Sequence, residues 1–101
     1  MTLTMSANKY YLCEFHEQHG EFEYGHYHVY SKKFLDENKI NINDVHKDDV
    51  KLLNHFFGDI DKDDEDEGSY WTFGRLVSYK GWEEIDQSEL KILEKGGVYC
   101  D

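Results

Sequence analysis

Residues 10–31 read YYLCEFHEQHGEFEYGHYHVYS, and how this stretch pairs with itself decides the fold. Tyr10 to Glu17 and Phe22 to Ser31 both alternate and are rich in strand formers, with Gln18-His19-Gly20-Glu21 between them. Two such runs around a glycine-bearing turn predict a β-hairpin. A two-residue turn at His19-Gly20 sets Tyr11, Cys13 and Phe15 opposite His28, His26 and Tyr24, which mixes apolar and polar side chains on one face. A three-residue loop with Gly20 in the left-handed region instead gathers Tyr11, Cys13, Phe15, Tyr27 and Val29. It leaves Glu14, His16, His26 and His28 on the other face. A slip of one residue exchanges the two faces of a strand, so the register that separates apolar from polar is the expected one.

Working outward, residues 32–43 read as a connection in which Ile40 and Ile42 touch the core. Val45 to Phe57 carries Val50, Leu53 and Phe57 one turn apart, with Leu52 and Phe56 beside them, which is a helical stripe. Asn43 or Asp44 suits its cap, Asp48 and Asp49 suit its electropositive first turn, and Gly58 suits its end. Ser69 to Phe73 and Leu76 to Glu84 form a second β-rich pair broken at Gly74-Arg75. A last helix follows with Asp86 as N-cap, Glu89 three residues on, and Ile85 and Leu90 as a hydrophobic staple. Leu90 and Leu93 supply its buried stripe and Gly96-Gly97 stops it. The order is ββαββα. A sheet of two hairpins with one apolar face needs a cover, so the expectation is a two-layer α+β sandwich with both helices on one face. All of it belongs to one domain, residues 1–101, with residues 1–8 a flexible lead-in and 59–68 an acidic loop.

The 101 residues include 22 acids against 11 bases, a net charge of -11. Free nucleic acid and anionic membranes both demand a basic footprint, so neither is an expected partner. No apolar run reaches the ~18 residues of a membrane helix. The first residues lack the apolar core of a secretory signal, which points to the cytoplasm. Cys13 and Cys100 form no C-x-x-C pair and read as free thiols of a reducing compartment.

Charge is concentrated in Asp59–Glu67, DIDKDDEDE, which holds seven acids and Lys62 for a net of -6. Such a run repels itself, so something other than stability has to favour it; one reading is a solvated, mobile loop, the other a surface standing in for a phosphate backbone. In extended chain, alternate carboxylates such as Asp59, Asp61 and Asp63 stand ~7 Å apart on one side. That spacing is on the scale of a nucleic-acid strand, with one phosphate per ~3.4 Å of axis. Asp64, Glu65, Asp66 and Glu67 continue the line, and Asp36, Glu37, Asp44, Asp48 and Asp49 extend it if the helix packs alongside. An EF-hand counted from Asp59 needs Gly and Glu where Asp64 and Tyr70 stand, so calcium of that kind is excluded.

Glu14, His16, His26 and His28, sharing a face in the expected register, are the candidate metal ligands. In the other register His26 and His28 flank Cys13 and the set dissolves. No G-x-S-x-G, H-E-x-x-H or phosphate loop is present, and no cofactor is expected. Cys13 with the hairpin histidines is the one nucleophile–base pairing on offer, and a strand cysteine more often fills a core. The chain therefore reads as a non-enzyme. Tyr70, Trp71, Phe73, Tyr79 and Trp82 crowd the second hairpin, and any ring left exposed beside the acidic run would act as an interface anchor.

The segments His19 to Tyr24 (HGEFEY), Tyr70 to Gly74 (YWTFG) and Glu84-Ile85 before the capped Leu90–Leu93 helix are similar to a group of small phage and bacterial proteins. In size, acidity and lack of catalytic motifs the chain resembles phage anti-defence proteins, including anti-CRISPR proteins that mimic DNA. The resemblance transfers no functional residue. It implies an inhibitor acting in the cytoplasm of a bacterial host on a defence effector such as a CRISPR-Cas complex. The resulting expectation is a non-catalytic inhibitor that occupies the basic nucleic-acid-binding channel of a partner protein. Its contact residues would be Asp59, Asp61, Asp63, Asp64, Glu65, Asp66, Glu67, Asp48 and Asp49. The alternatives are an immunity or antitoxin-like protein neutralising a basic nuclease, and a small metal- or ligand-binding protein using the histidine face.

Overall fold

A computed structural model describes residues 9–42, 45–61, 63, 65, 66 and 68–101, with 45–48 and 66 described by their backbone. The elements are β1 (Tyr10–His19), β2 (Phe22–Ser31), α1 (Lys32–Glu37), α2 (Val45–Phe57), β3 (Glu65–Asp66), β4 (Ser69–Thr72), β5 (Arg75–Ile85) and α3 (Gln87–Lys95). The strands form one antiparallel sheet in the order β2-β1-β5-β4-β3. The α+β class and the ββαββα order of the long elements stand, with α1 and the two-residue β3 added.

The hairpin register is corrected. The turn is two residues, Gly20–Glu21, so Tyr11, Cys13 and Phe15 pair with Tyr30, His28 and His26. Gly20 has φ +63 at the first central position, the pattern of a II′ turn, whose backbone twist matches that of the flanking strands. His26 and His28 therefore lie on the helix-covered face with Tyr11, Cys13 and Phe15. Tyr27, expected in that core, is on the opposite face and half-exposed. Polar rings are tolerated there because each has a partner. His26 meets the Glu17 carboxylate at 2.9 Å and His28 meets Asp101 at 2.5 Å, and both rings lie against Phe56.

The main core joins Tyr11, Cys13, Phe15, Tyr30, Tyr70 and Val77 to Leu35 of α1, to Ile40 and Ile42, and to Leu52 and Leu53 of α2. Phe15 is its centre, fully buried and stacked on Phe56 with ring centroids 4.5 Å apart. Ile40 and Ile42 are buried as expected. Residues 32–37 are helical rather than a plain connection. Ser31 caps α1 by accepting from the Phe34 amide, and a helix this short has too few turns to show a period in sequence.

The second cluster sits on the other side of the sheet. Val29, Leu12 and Ile85 point away from the main core, and α3 covers them with Leu90 and Leu93. The expectation of both long helices on one face is corrected by this. The odd register sends Val29 to the far face beside Leu12, its cross-strand partner, and that patch needs its own cover. The local grammar of α3 is as expected. Asp86 accepts from the Glu89 amide, the Glu89 side chain reaches back to the Asp86 amide, and Ile85 and Leu90 pack together. The Val98 amide donates to the Leu93 carbonyl and Gly97 to Glu94, a Schellman stop made possible by Gly97 at φ +92.

Candidate protein-interaction surface

The acidic segment is pinned at several described points, and within the expected loop of residues 59–68 Glu65–Asp66 pair as β3. Gly58, at φ +83, turns the chain out of α2. Asn54 then accepts from the Ile60 amide through its side chain at 3.2 Å, and Ile60 packs against the main core. Thr72 of β4 donates its hydroxyl to the Asp59 carbonyl at 3.3 Å. Asp61 accepts from the Asp63 amide at 2.9 Å, and Glu65–Asp66 pair with Ser69–Tyr70 as β3. Asp59, Asp61, Asp63 and Glu65 are exposed.

Of the other expected contact residues, Asp64 and Glu67 lie outside the described residues, as do the cap candidates Asn43 and Asp44. Asp48 is placed by its backbone in the first turn of α2 and Asp66 by its backbone in β3. Asp49 is half-buried and hydrogen-bonded to the Tyr70 phenol. Burial pushes that phenol's pKa upward, and the charges of Asp49 and Glu65 push it further. Asp49 at the beginning of α2 and Glu65 on β3 thus both act on one phenol. Asp36 instead pairs with Lys32 on α1 at 2.8 Å.

Of the rings of the second hairpin, Tyr70 is buried, Tyr79 is part of the main core, and Trp82 lies edge-on to Tyr11 at 5.4 Å. Trp71 is 49% exposed and Phe73 75% exposed. Phe73 and Gly74 form the β4–β5 turn with φ +48 and +77, the pattern of a type I′ turn that Asn-Gly fills without strain. A phenylalanine there is held in the left-handed region with its ring in solvent. Asp59, Trp71 and Phe73 line one shallow hollow, so the exposed rings adjoin the start of the acidic segment. Gln18 pairs with Leu76, which puts the Gly20–Glu21 turn at the same end of the sheet, where Phe22 is also exposed.

The four candidate metal ligands are divided between the faces of the sheet. Glu14 and His16 pair with each other at 2.7 Å on one side, while His26 and His28 are on the other. Among the described residues, no group of three or more His, Cys, Asp or Glu is placed to hold a metal ion. Cys13 is fully buried, and burial pushes its thiol up to about 12 against a smaller opposing effect of the Tyr79 hydrogen bond. It faces His28 across the strands but is held protonated at neutral pH.

Two polar networks were not legible in sequence. Glu17 takes Arg75 at 2.8 Å and His26 at 2.9 Å, and the Arg75 bond above all holds its carboxyl below the usual range. Asp101 meets His28 at 2.5 Å, with His55 at 3.9 Å from the same oxygen, and His55 in turn bonds the Tyr30 hydroxyl at 2.9 Å. The segment 99–101 lies parallel to β2, exchanging hydrogen bonds with Val29 and Ser31. His55 interrupts the polar face of α2 with an aromatic environment of Phe34 and Tyr30, a placement that only the folded chain reveals.

Among the described residues no helix is long and apolar enough to cross a membrane. Comparison with family models, with curated proteins and with solved structures finds no match.

Proposed function

We propose that the chain is a non-catalytic binding protein that inhibits a partner by docking its acidic surface onto the partner's basic nucleic-acid-binding site. The observation that supports this best is that Asp59, the first residue of a pinned segment that also exposes Asp61, Asp63 and Glu65, shares a hollow with the exposed rings of Trp71 and Phe73. Carboxylates in a row supply the long-range attraction that steers a basic partner, and exposed Trp and Phe supply the short-range anchors on which interface affinity rests. Pinning by Ile60, Thr72 and β3 lowers the ordering cost that a free loop would pay on binding. A bacterial defence effector such as a CRISPR-Cas complex is the proposed partner, and a basic nuclease neutralised by an immunity protein is the alternative. Both oppose acid to base.

The test begins with capture of the partner from a bacterial lysate on the intact protein, followed by competition with the partner's own nucleic acid. A variant with Asp59→Asn, Asp61→Asn, Asp63→Asn and Glu65→Gln keeps the shape and the Asp61 acceptor and removes four charges. Association should slow at least ~10-fold and the salt dependence should flatten, because exposed charges act over a Debye length of ~8 Å at physiological ionic strength. Unchanged binding by this variant, or simultaneous binding of the nucleic acid, refutes the proposal.

A further inference from the structure

β2 is the outer strand of the sheet, and its free edge is only partly used. Val29 both donates to Tyr99 and accepts from Asp101 along that edge, and the Ser31 amide donates to Asp101. In an antiparallel strand the direction of the backbone groups alternates, so the N–H and C=O of Glu23, Gly25 and Tyr27 point the same way as those of Val29. Among the described residues nothing bonds to them there. An unpaired ladder of this kind is a template for another strand, and short length, charge or a covering segment is what normally blunts it. The opposite edge, β3, is two residues long and acidic. The β2 edge is ten residues long, and segment 99–101 protects only its last part.

Gly25 is a second, independent sign. It has no positive φ, it pairs regularly with His16, and a Cβ built on it would touch nothing within 4 Å. Nothing around Gly25 excludes a side chain, and a strand glycine without a bulge is one of the places where a ligand or another backbone can approach closely. Around it Tyr24 and Tyr27 are each 50% exposed, and Glu21 and Glu23 are exposed without an ion pair among the described residues. A second copy of this chain, carrying the same -11, would bring like charge to this edge. The geometry points to an extended, basic segment of the partner protein as the occupant, added as a sixth strand beside β2 from Phe22 to Tyr27, with lysine or arginine meeting Glu21 and Glu23. This strand addition rests on the reading of the chain as a binder of a basic partner, but it uses the edge of the sheet opposite β3.

Amide hydrogen exchange followed by NMR tests it on the intact protein. Alone, the amides of Glu23, Gly25 and Tyr27 exchange fast while those of Tyr24, His26 and His28, which face β1, are protected. A synthetic peptide alternating lysine and valine should slow exchange at Glu23, Gly25 and Tyr27 at least ~10-fold, each tenfold being about 1.4 kcal/mol. The matching glutamate–valine peptide should leave them unchanged. Gly25→Pro removes one outward N–H without breaking the β1 ladder and should abolish the effect, with the β1–β2 cross-strand NOEs confirming that the hairpin persists. Protection that appears without peptide and grows with protein concentration assigns the edge to a second copy and overturns the inference. Equal response to both peptides, or to neither, overturns it as well. The variant of Asp59, Asp61, Asp63 and Glu65 should respond to the lysine–valine peptide like the parent, so failure at the acidic segment and failure at β2 are told apart.

Discussion

Replacing Phe73 by asparagine separates what the fold needs from what binding needs. Phe73 sits at φ +48, where an L side chain other than Asn, Asp or Gly is strained by about 1–2 kcal/mol. Its ring is 75% exposed, so only a quarter of its surface is covered. A quarter of a phenylalanine's burial, valued at ~25 cal/mol per Å², amounts to roughly 1 kcal/mol. Asparagine relieves the strain, keeps part of the contact and retains Gly74 as the second turn residue. Stability should therefore hold or rise by up to ~1 kcal/mol, a Tm change of at most several degrees for a domain of this size. Urea unfolding followed by tryptophan fluorescence measures it. Binding to the captured partner should weaken ~10-fold or more, the usual loss for an anchor residue. A loss of stability above ~2 kcal/mol would assign the ring a structural role and refute the strain argument, since it would match truncation of a buried aromatic instead. Unchanged affinity would remove Phe73 from the interface.

Phe15→Ala should cost ~3–5 kcal/mol, because it empties the centre of a ring cluster that includes Phe56, Phe57, Tyr30 and Tyr79, and circular dichroism at rising temperature reads the loss. Asp86→Ala should cost about 1 kcal/mol and fray the start of α3, visible as faster amide exchange at Glu89, while the ring cluster on the opposite face keeps its chemical shifts. Glu17 has its pKa depressed in the fold, so the stability it contributes is present above the unfolded carboxylate value of about 4.3 and is lost as pH falls through the depressed one. In Glu17→Gln the urea midpoint should thus fall less between neutral and strongly acid pH than in the parent. An identical acid limb in the two proteins would mean that the Arg75 pairing adds nothing.

The sequence discloses elements whose signals are local. The bounds of α2, the Asp86–Glu89 box and the Gly96-Gly97 stop all depend on residues within a turn or two of each other, and all stand as read. The hairpin register depends on what covers each face. Sorting side chains into apolar and polar sends His26 and His28 to solvent, whereas the folded chain gives each a carboxylate partner and keeps them under α2. Once that choice goes the other way, Val29 moves to the far face and α3 has to follow it. The acid run is obvious from composition alone. Its attachment through Ile60, Asn54 and Thr72, and its position beside Trp71 and Phe73, come from contacts between distant segments and carry no signature in the local pattern. The pairing of 99–101 with β2 is likewise a meeting of remote residues.

The central position of β1 governs how the chain reaches this state. β1 meets β2 through a two-residue turn, a pairing that forms in about 1–10 μs in isolated hairpins. On its other side it meets β5, with Gln18 against Leu76 and Tyr10 against Ile85, and this ladder waits for most of the chain to be in place. Folding dominated by such distant pairings runs on a scale of about milliseconds to seconds. The chain contains no proline, so no isomerisation step masks the docking of β5. Until β5 arrives, the inner edge of β1 is unpaired and Cys13 and Phe15 lack the cover that Tyr79 and Val77 provide. Refolding yield should accordingly drop as protein concentration rises, with loss occurring at that edge during the wait for β5.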